Sequence, residues 1–243
     1  MENAITAGLS KQIVLARALD ATANNIANQT TAGFKADHVA FREYLARIDG
    51  EAAGDPLVSL VFDPDSYVDF SAGGQEPTYA PLDFAIDGDG FFGVESDEGV
   101  RYTRDGRFTL NAFGELVTRA GARVLDAGGS PILVDAEAGP ILLTPDGVHQ
   151  QREAPIATLG VFRFADKSGL QKRGDNLFAA ASEAVPTQSP RVRQGFIETS
   201  NVSPIAAVTD MIEIMRAYEQ AARVVETSDE LAREAVKTLS ENA

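Results

Sequence analysis

Three glycines, Gly88, Gly90 and Gly93, have the spacing of a dinucleotide-binding loop, the pattern in this chain that most suggests cofactor chemistry. Such a loop needs a strand before it and a helix that begins inside it, because the helix N-terminus holds the pyrophosphate. The residues that follow, Phe91 to Ser96, are strand-like instead. We therefore interpret the three glycines as part of a turn, and we predict no cofactor.

Residue types that carry metal or nucleophilic chemistry are scarce. The chain has no cysteine, which excludes thiolate catalysis, cysteine-bound zinc and disulfides. Its two histidines, His38 and His149, lie outside any metal-ligand motif, and the acidic turn from Asp87 to Gly90 lacks the ligand spacing of an EF-hand. No GxSxG, P-loop or HExxH motif occurs. We predict no metal, no catalytic residue and no enzymatic activity.

The charge of the chain disfavours two classes of partner. Its 243 residues carry 36 Asp and Glu against 21 Lys and Arg, a net charge of −15, which argues against nucleic acid and anionic membrane surfaces. The acidity is concentrated: between Glu43 and Glu98 there are 14 acidic residues and one basic residue, Arg47. No apolar run is long enough to span a membrane, and the N-terminus does not resemble a cleaved signal peptide.

The two ends of the chain have helical periodicity. Apolar residues recur at steps of three and four from Asn3 to Asn28, and again from Ser203 to the C-terminus, where Ser203-Pro204 is a typical helix start. The second helix would be about 54 Å long, more than a small domain can cover. We expect the two helices to pack against each other and against neighbouring molecules; the alternative is that each packs on the central domain.

The middle of the chain has the pattern of an all-β region. Between Tyr79 and Phe164, short alternating strands are separated by Gly- and Asp-rich turns at intervals typical of antiparallel hairpins. The predicted fold is α+β, a discontinuous helical domain from both termini with a central β domain. The predicted segments are an N-terminal helix 1–33, an extended acidic connector 34–78, a β domain 79–170, a return connector 171–202 and a C-terminal helix 203–243.

Three segments resemble the bacterial flagellar rod and hook family. They are Ala23–Ala36 (ANNIANQTTAGFKA), Gly195–Glu219 (GFIETSNVSPIAAVTDMIEIMRAYE), and the central Gly90-Phe91-Phe92 together with Tyr102-Thr103-Arg104. They occur in the family's order at both ends and in the middle. Ile26 and Ile197 stand where the family usually has leucine, and Met215 stands where it has glutamine.

The resemblance implies a structural subunit of the proximal rod, the drive shaft that carries motor torque across the periplasm toward the hook. It implies export by the flagellar type III apparatus and assembly with copies of itself and with other rod proteins, proximal and distal, and it leaves contacts with basal-body rings and export apparatus open. It implies neither nucleic-acid binding nor membrane insertion. The alternatives are another rod protein, such as the distal one, and a self-contained ligand-binding β-domain protein.

The candidate sites are therefore interfaces. We expect helix packing within and between subunits through one apolar set: Ile5, Leu9, Leu19, Ile26, Val208, Met211, Met215, Tyr218, Val225, Val236 and Leu239. The family motifs add a second set: Asn24, Asn25, Asn28, Gly33, Phe34, Ser200, Asn201 and Val202. In that set Asn24, Asn25 and Asn28 would hydrogen-bond at the helix end, either as ordinary caps or between subunits, and Gly33 would allow the turn that anchors Phe34.

Overall fold

A helix lies at each end of the chain. The structure, a computed structural model, describes residues 2–40, 43–47, 57–61, 65–135, 142–143, 148–151 and 154–241. Helix α1 spans Glu2–Ala27 and helix α2 spans Pro204–Glu241, so both predicted helices are confirmed. The carbonyl of Ser203 accepts the Ala207 N–H at 2.9 Å, as expected of an N-cap residue. Within the described residues, neither helix is apolar enough over a sufficient length to cross a membrane.

The strands between the helices pair antiparallel throughout, which confirms the predicted central β region. Their bounds are β1 Asp37–Ala40, β2 Glu43–Arg47, β3 Leu57–Val61, β4 Asp65–Val68, β5 Gln75–Pro77, β6 Phe84–Ile86, β7 Phe91–Ser96, β8 Gly99–Thr103, β9 Phe108–Leu110, β10 Leu116–Thr118, β11 Arg123–Val124, β12 Leu142–Leu143, β13 Val148–Gln151, β14 Ala154–Thr158, β15 Val161–Arg163, β16 Leu170–Arg173, β17 Leu177–Ala180, β18 Val185–Pro186, β19 Val192–Gln194 and β20 Phe196–Glu198.

The first compact unit contains both helices. It consists of Met1–Ala27, Asp37–Asp69 and Ser203–Ala243, and α1 and α2 lie against each other within it. At their contact, a Cβ placed on Gly8 would lie 2.5 Å from Cγ2 of Val225. Because real Cβ atoms essentially never come that close, the helices approach there at a distance that only glycine allows.

The most buried positions of the helices are neighbours of the predicted apolar series, several members of which are half-buried. Buried positions include Leu15 and Ala18 in α1, and Ala207 and Ala221 in α2. At the contact itself, Gly8 of α1 lies against Val225 and the backbone of Ala221 in α2, and the small size of Gly8 and Ala221 lets the two helices approach closely there.

The second compact unit, Asn28–Ala36 and Phe70–Val202, contains the β core. In the described part of the chain its largest sheet has nine strands, in the order β16-β17-β8-β7-β11-β10-β9, with β15 paired to β7 and β18 to β15. Smaller sheets pair β19 with β6, β20 with β5, and β12-β13-β14. The core is aliphatic and aromatic, with Phe84, Phe92 and Val94 fully buried.

Two details of the β unit bear on the sequence predictions. Strand β7 begins directly after Gly90, where a dinucleotide loop would need a helix, so the interpretation of the glycines as a turn is confirmed. In β6, all three residues, Phe84, Ala85 and Ile86, are buried. The alternation of apolar residues near Phe84 therefore does not mark one exposed face, because both faces of this short strand are covered.

Candidate functional site

The segment that follows α1 turns at Gly33, inside the β unit. Its φ is +66°, a conformation that costs every residue except glycine. A Cβ on Gly33 would also lie 2.3 Å from the backbone carbon of Arg104 and from the nitrogen of Asp105. The Gly33 N–H donates to the Glu198 carbonyl at 2.7 Å. The family motif thus needs glycine here for two separate reasons, backbone conformation and lack of space.

Two residues after this turn, Lys35 is completely buried and carries a charge. Its Nζ donates to Oε1 of Glu198 at 2.5 Å and to the carbonyl of Ser71 at 2.6 Å. Glu198 is also buried, and its Oε1 accepts the Gly73 N–H at 3.1 Å. Paired in this way, the two buried charges satisfy each other, which a lone buried charge cannot do.

A third buried charge, Arg104, completes what we call the ion cluster, Lys35, Arg104 and Glu198. Its Nη1 donates to the other carboxylate oxygen of Glu198, Oε2, at 3.0 Å, and its Nη2 donates to the Gly88 carbonyl at 2.7 Å. Burial lowers the pKa of Arg104, while Glu198 opposes that change. A guanidinium remains protonated in proteins, so Glu198 holds two cations at once.

The motif residue Asn201 joins three chain segments of the β unit by hydrogen bonds. Its Oδ1 accepts the Ala36 N–H at 2.8 Å, and its Nδ2 donates to the carbonyl of Ser71 at 3.3 Å and to its hydroxyl at 3.1 Å. The hydroxyl of neighbouring Ser200 accepts the Val202 N–H at 3.2 Å. These side chains replace the backbone ladder where irregular segments run side by side.

The remaining motif residues divide between the two units. In the first unit, the buried side chain of Asn25 makes two hydrogen bonds to the backbone of Asp37. Its Oδ1 accepts the Asp37 N–H at 2.8 Å, and its Nδ2 donates to the Asp37 carbonyl at 2.7 Å. Asn24 is exposed in α1. In the second unit, Asn28 accepts the Thr31 hydroxyl at 3.2 Å, and Lys172 Nζ lies 4.1 Å from the centre of the buried Phe34 ring.

The motif side chains therefore anchor the chain and show no catalytic arrangement. Sequence reasoning quoted Lys35, Arg104 and Glu198 within the motifs but assigned none of them a role. The available signal was Lys35 itself, a charge placed between the apolar Phe34 and Ala36 directly after a turn. Its partner could not be inferred, because periodicity carries no information on contacts between distant segments.

A second candidate site lies on α2. Large apolar side chains recur there at steps of three and four and are exposed; we call this row the α2 stripe: Ile205, Val208, Ile212, Met215 and Tyr218. Ile205 is 83% exposed and Met215 is 48% exposed. Single exposed apolar residues are ordinary, but a continuous row on one helix is typical of an interaction surface.

The structure separates the predicted interface residues into two groups. Leu9, Val208, Met215 and Tyr218 are exposed. The half-buried members are Ile5, Leu19, Ile26, Met211 and Val225. Val236 and Leu239 lie in α2, and their side chains are outside the described residues. The contact of Gly8 with Val225 places Val225 in the α1–α2 pair.

The β unit has an open depression of about 560 Å³ on its surface. Several of its lining charges pair with one another: Arg123 contacts Glu95 at 2.9 Å and Glu115 at 3.7 Å, and Arg101 contacts Glu98 at 3.2 Å. A ligand would have to displace these pairs. The depression therefore does not favour the alternative of a ligand-binding β-domain protein.

Comparison with known proteins agrees with this geometry. Residues 193–238 match the model of the flagellar basal body rod FlgEFG protein C-terminal region, and residues 85–149 match that of the flagellar hook protein FlgE/F/G D1 domain. A Caulobacter vibrioides flagellar basal-body rod protein FlgF is 42% identical over 98% of both chains. A Mesorhizobium japonicum FlgF is 34% identical over 98% of both, and a Bacillus subtilis FlgG is 31% identical over 97% of this chain and 98% of its own.

The fold and its motif anchors define a structural subunit of the flagellar rod and hook class, not an enzyme. Within this class, the chain belongs to the flagellar basal-body rod protein family and is FlgF-like. It is a structural component of the basal-body rod, and members of its family assemble with other rod proteins.

Proposed function

We propose that this chain is a subunit of the proximal rod, which polymerises helically through its two terminal helices and transmits torque from the motor across the periplasm toward the hook. In this proposal α1 and α2 form a discontinuous helical domain in the inner layer of the rod. The contact at Gly8 and Val225, which is intramolecular, supports the helical pair as the unit that is repeated.

The observation that carries the proposal is the exposed α2 stripe. Ala207 and Ala221 are buried, whereas the larger apolar side chains of the stripe remain between 37% and 83% exposed to solvent in the part of the chain that the structure describes. Burying a large aliphatic or aromatic side chain contributes about 1.5–3 kcal/mol. Covering the stripe with a neighbouring subunit would supply a driving force for assembly that the isolated chain does not use.

A rod needs contacts that do not close into a ring. Heterologous contacts, in which one patch meets a different patch on the next copy, generate open helical filaments. The α2 stripe meets this need when a neighbouring helix pair presents another exposed surface, such as the one containing Leu9 and Ile13 on α1. Rod proteins above and below would have to offer related surfaces, which gives a reason for terminal motifs shared across the family.

Position and route belong to the same proposal. The relatives compared that are named FlgF are 30–42% identical and those named FlgG are 28–34% identical, and the 42% match to a FlgF supports the proximal rather than the distal rod. We propose that the chain reaches the periplasm through the flagellar type III export apparatus. Its partners would be copies of itself and neighbouring proximal and distal rod proteins, with contacts to basal-body rings and the export apparatus where the rod passes them.

The test is to place a charge in the middle of the α2 stripe. In Met215→Asp the side chain is exposed in the single chain, so folding should be retained, as judged by circular dichroism of the monomer. Assembly should be weakened by about a hundredfold or more, because the interface would bury an unpaired carboxylate. Light scattering of the purified chain measures the assembly, and swimming motility measures the function.

Gln220→Asp is the matched control. It adds the same charge to an exposed position of the same helix, away from the stripe. Assembly and motility should remain close to those of the unchanged protein. If Met215→Asp assembles as well as Gln220→Asp and the cells swim normally, the stripe is not a rod interface.

A further inference from the structure

An arginine is fixed at the surface of the β unit by contacts with two neighbours. The guanidinium carbon of Arg193 lies 3.7 Å from the centre of the Phe196 ring, and its Nη1 donates to Oε1 of Gln75 at 2.7 Å. Arg193 is nevertheless exposed, and among the residues that the structure describes no carboxylate forms an ion pair with it. Its remaining donors can therefore meet a partner's carboxylate at little further cost in conformational entropy.

An exposed aromatic residue lies beside this arginine. The N–H groups of Thr78 and Tyr79 both donate to the carbonyl of Gly195, at 2.8 and 3.1 Å, so Tyr79 adjoins the loop between Arg193 and Phe196. Tyr79 is 88% exposed and has a φ of +58°, which is unfavourable for a bulky residue. Conformations of this kind cluster at functional positions, because the surrounding structure must enforce them. We call the surface formed by Tyr79, Arg193 and Phe196 the arginine–tyrosine knob.

The nearby acidic residue Glu76 does not neutralise the knob. Glu76 pairs with Ile197 in the β5–β20 ladder, whereas Phe196 pairs with Pro77. Because successive residues of a strand point to opposite faces, Glu76 and Phe196 lie on different faces of the ladder. The knob therefore presents a cation and two aromatic rings, and arginine and tyrosine are among the residue types that contribute most to protein interfaces.

A second exposed aromatic residue, Phe113, belongs to the open depression of the β unit. It lines the depression and is 83% exposed. Its turn is held by hydrogen bonds: Oδ1 of Asn111 accepts the N–H groups of Phe113 and Glu115, both at 2.9 Å, and the Asn111 carbonyl accepts the Gly114 N–H at 3.1 Å. A large apolar side chain that its own turn fixes in an exposed position is suited to anchor an interface, because little freedom remains to be lost on binding.

The lining of the same depression has an excess of negative charge. It contains five carboxylates and three arginines. The ion pairs described above engage two of these arginines, and the third, Arg173, lies two positions from Asp175 in the chain. Asp97 remains. It is exposed in the turn between β7 and β8, and it forms no ion pair in the part of the chain that the structure describes.

We propose that the arginine–tyrosine knob of one copy of the chain docks into the depression of the next copy, with Tyr79 against Phe113 and Arg193 paired with Asp97. The two surfaces are complementary in charge, since the knob presents a cation without a carboxylate and the depression a carboxylate without a cation. Both also present an exposed aromatic ring. The contact uses the carboxylate that lies outside the ion pairs of the depression, so those pairs stay in place.

This contact joins two copies of the chain. The knob and the depression share no residue, and Tyr79 is largely exposed within its own chain. Two different surfaces that meet in this way form a heterologous contact, which generates an open filament when it does not close into a ring. The proposal rests on the self-association proposed above, and it adds a second contact, between β units, that does not involve the helices.

Photo-crosslinking in the full-length chain tests the proposal. Tyr79 is replaced by p-benzoylphenylalanine, and equal amounts of isotopically light and heavy chains are mixed at concentrations at which light scattering shows assembly. The expected product is a light–heavy crosslink to a peptide that lines the depression, within residues 95–101, 111–123 or 173–177. A crosslink within one chain, a crosslink to any other segment, or no crosslink would each overturn the proposal.

Variants of the crosslinking chain test the proposed ion pair from both sides. Arg193→Gln and Asp97→Asn should each lower the yield of the crosslink by about tenfold, because one charge-assisted contact is lost. Arg163→Gln and Glu183→Gln remove the same charges from exposed residues of the β unit outside both surfaces and should leave the yield unchanged. If either variant gives the same yield as its control, the pairing of Arg193 with Asp97 is wrong. Assembly that persists in the light-scattering assay without this crosslink would overturn the contact between β units and leave the helix-based proposal intact.

Discussion

The Lys35 ammonium donates to the Glu198 carboxylate at 2.5 Å, although the two residues are 163 positions apart in the chain. Lys35 follows the end of α1, and Glu198 precedes the start of α2. Within the β unit, the pair therefore ties the segment coming from one helix to the segment going to the other. Arg104 holds the second oxygen of the same carboxylate, so Glu198 is the member of the ion cluster on which the other two depend.

Removing the carboxylate should cost more than removing one cation. Glu198→Gln leaves Lys35 and Arg104 buried together without an anion, and breaking a buried pair in this way destabilises a protein by about 3–5 kcal/mol. Lys35→Met leaves Arg104 and Glu198 paired and should destabilise the fold by clearly less. Urea unfolding followed by circular dichroism measures both free energies.

Glu76→Gln provides the control for this comparison. It makes the same chemical change at an exposed residue of β5, in the strand pairing next to that of Glu198, and should change stability by less than about 0.5 kcal/mol. If Glu198→Gln is no more harmful than Glu76→Gln, the ion cluster does not stabilise the fold. If Lys35→Met is the more harmful of the two cluster variants, the assignment of Glu198 as the central member is wrong.

Gly33→Ala should destabilise the β unit more than a glycine substitution that adds only backbone strain. Gly33 and Gly121 both have positive φ, but a Cβ on Gly33 would meet the backbone of Arg104, whereas a Cβ on Gly121 would meet nothing within 4 Å. Gly121→Ala should therefore cost about 1–2 kcal/mol, the conformational part alone. Gly33→Ala should cost at least about 3 kcal/mol, since overpacking adds to it. Equal losses in thermal unfolding would contradict the steric argument.

The terminal helices were predictable because their signals are local. Ser203 and Pro204 mark the start of α2 whatever the rest of the chain does, and Asn28 follows the last residue of α1. The direction of each helix face was less predictable. The pattern of large apolar residues included Val225, which lies at the α1–α2 contact, but it gave no role to its partner Gly8, because an apolar pattern does not register a residue whose contribution is its small size.

The motif cluster was predictable as a set of residues but not as an arrangement. Asn25, Gly33 and Asn201 could be singled out because their types suit helix ends and turns. The pairing of Lys35 with Glu198 depends on two segments meeting after the whole β unit between them has folded. No local pattern encodes such a contact, and a charged residue read alone is normally assigned to the surface.

Stability toward acid should depend in part on Asp89. Its hydrogen bond with Lys167, at 2.6 Å, lowers the pKa of this carboxyl below the ordinary value of 3.8. A carboxyl whose pKa is lowered by folding contributes stability above its unfolded pKa, and that stability is lost as the pH falls through its folded pKa. Because the Asp89 side chain is half exposed, the contribution should not exceed about 0.5 kcal/mol.

Lys167→Met isolates this contribution. The variant and the unchanged protein share every other carboxyl group, so the difference between their unfolding free energies should be constant in the neutral range, well above pH 3.8, and should shrink as the pH falls toward and below that value. Urea titrations at a series of pH values measure that difference. A difference that stays the same down to the acid limit would show that the Lys167 contact does not act through the ionised form of Asp89.

The contact of Gly8 with Val225 predicts that Gly8→Ala lowers the stability of the helix pair when Val225 is present and raises it when Val225 is replaced by alanine. Alanine is a better helix former than glycine by about 1 kcal/mol, yet in Gly8→Ala the new Cβ would lie 2.5 Å from Cγ2 of Val225, and overpacking of this kind costs about 1–3 kcal/mol. Gly8→Ala should therefore lower the thermal stability of the helix pair, measured by circular dichroism. In a Val225→Ala background the obstructing methyl is absent, so Gly8→Ala should raise it. In an Ile13→Ala background, which alters an exposed residue of α1, the loss should persist. Stabilisation by Gly8→Ala in all three backgrounds would mean that the two helices do not pack at this point.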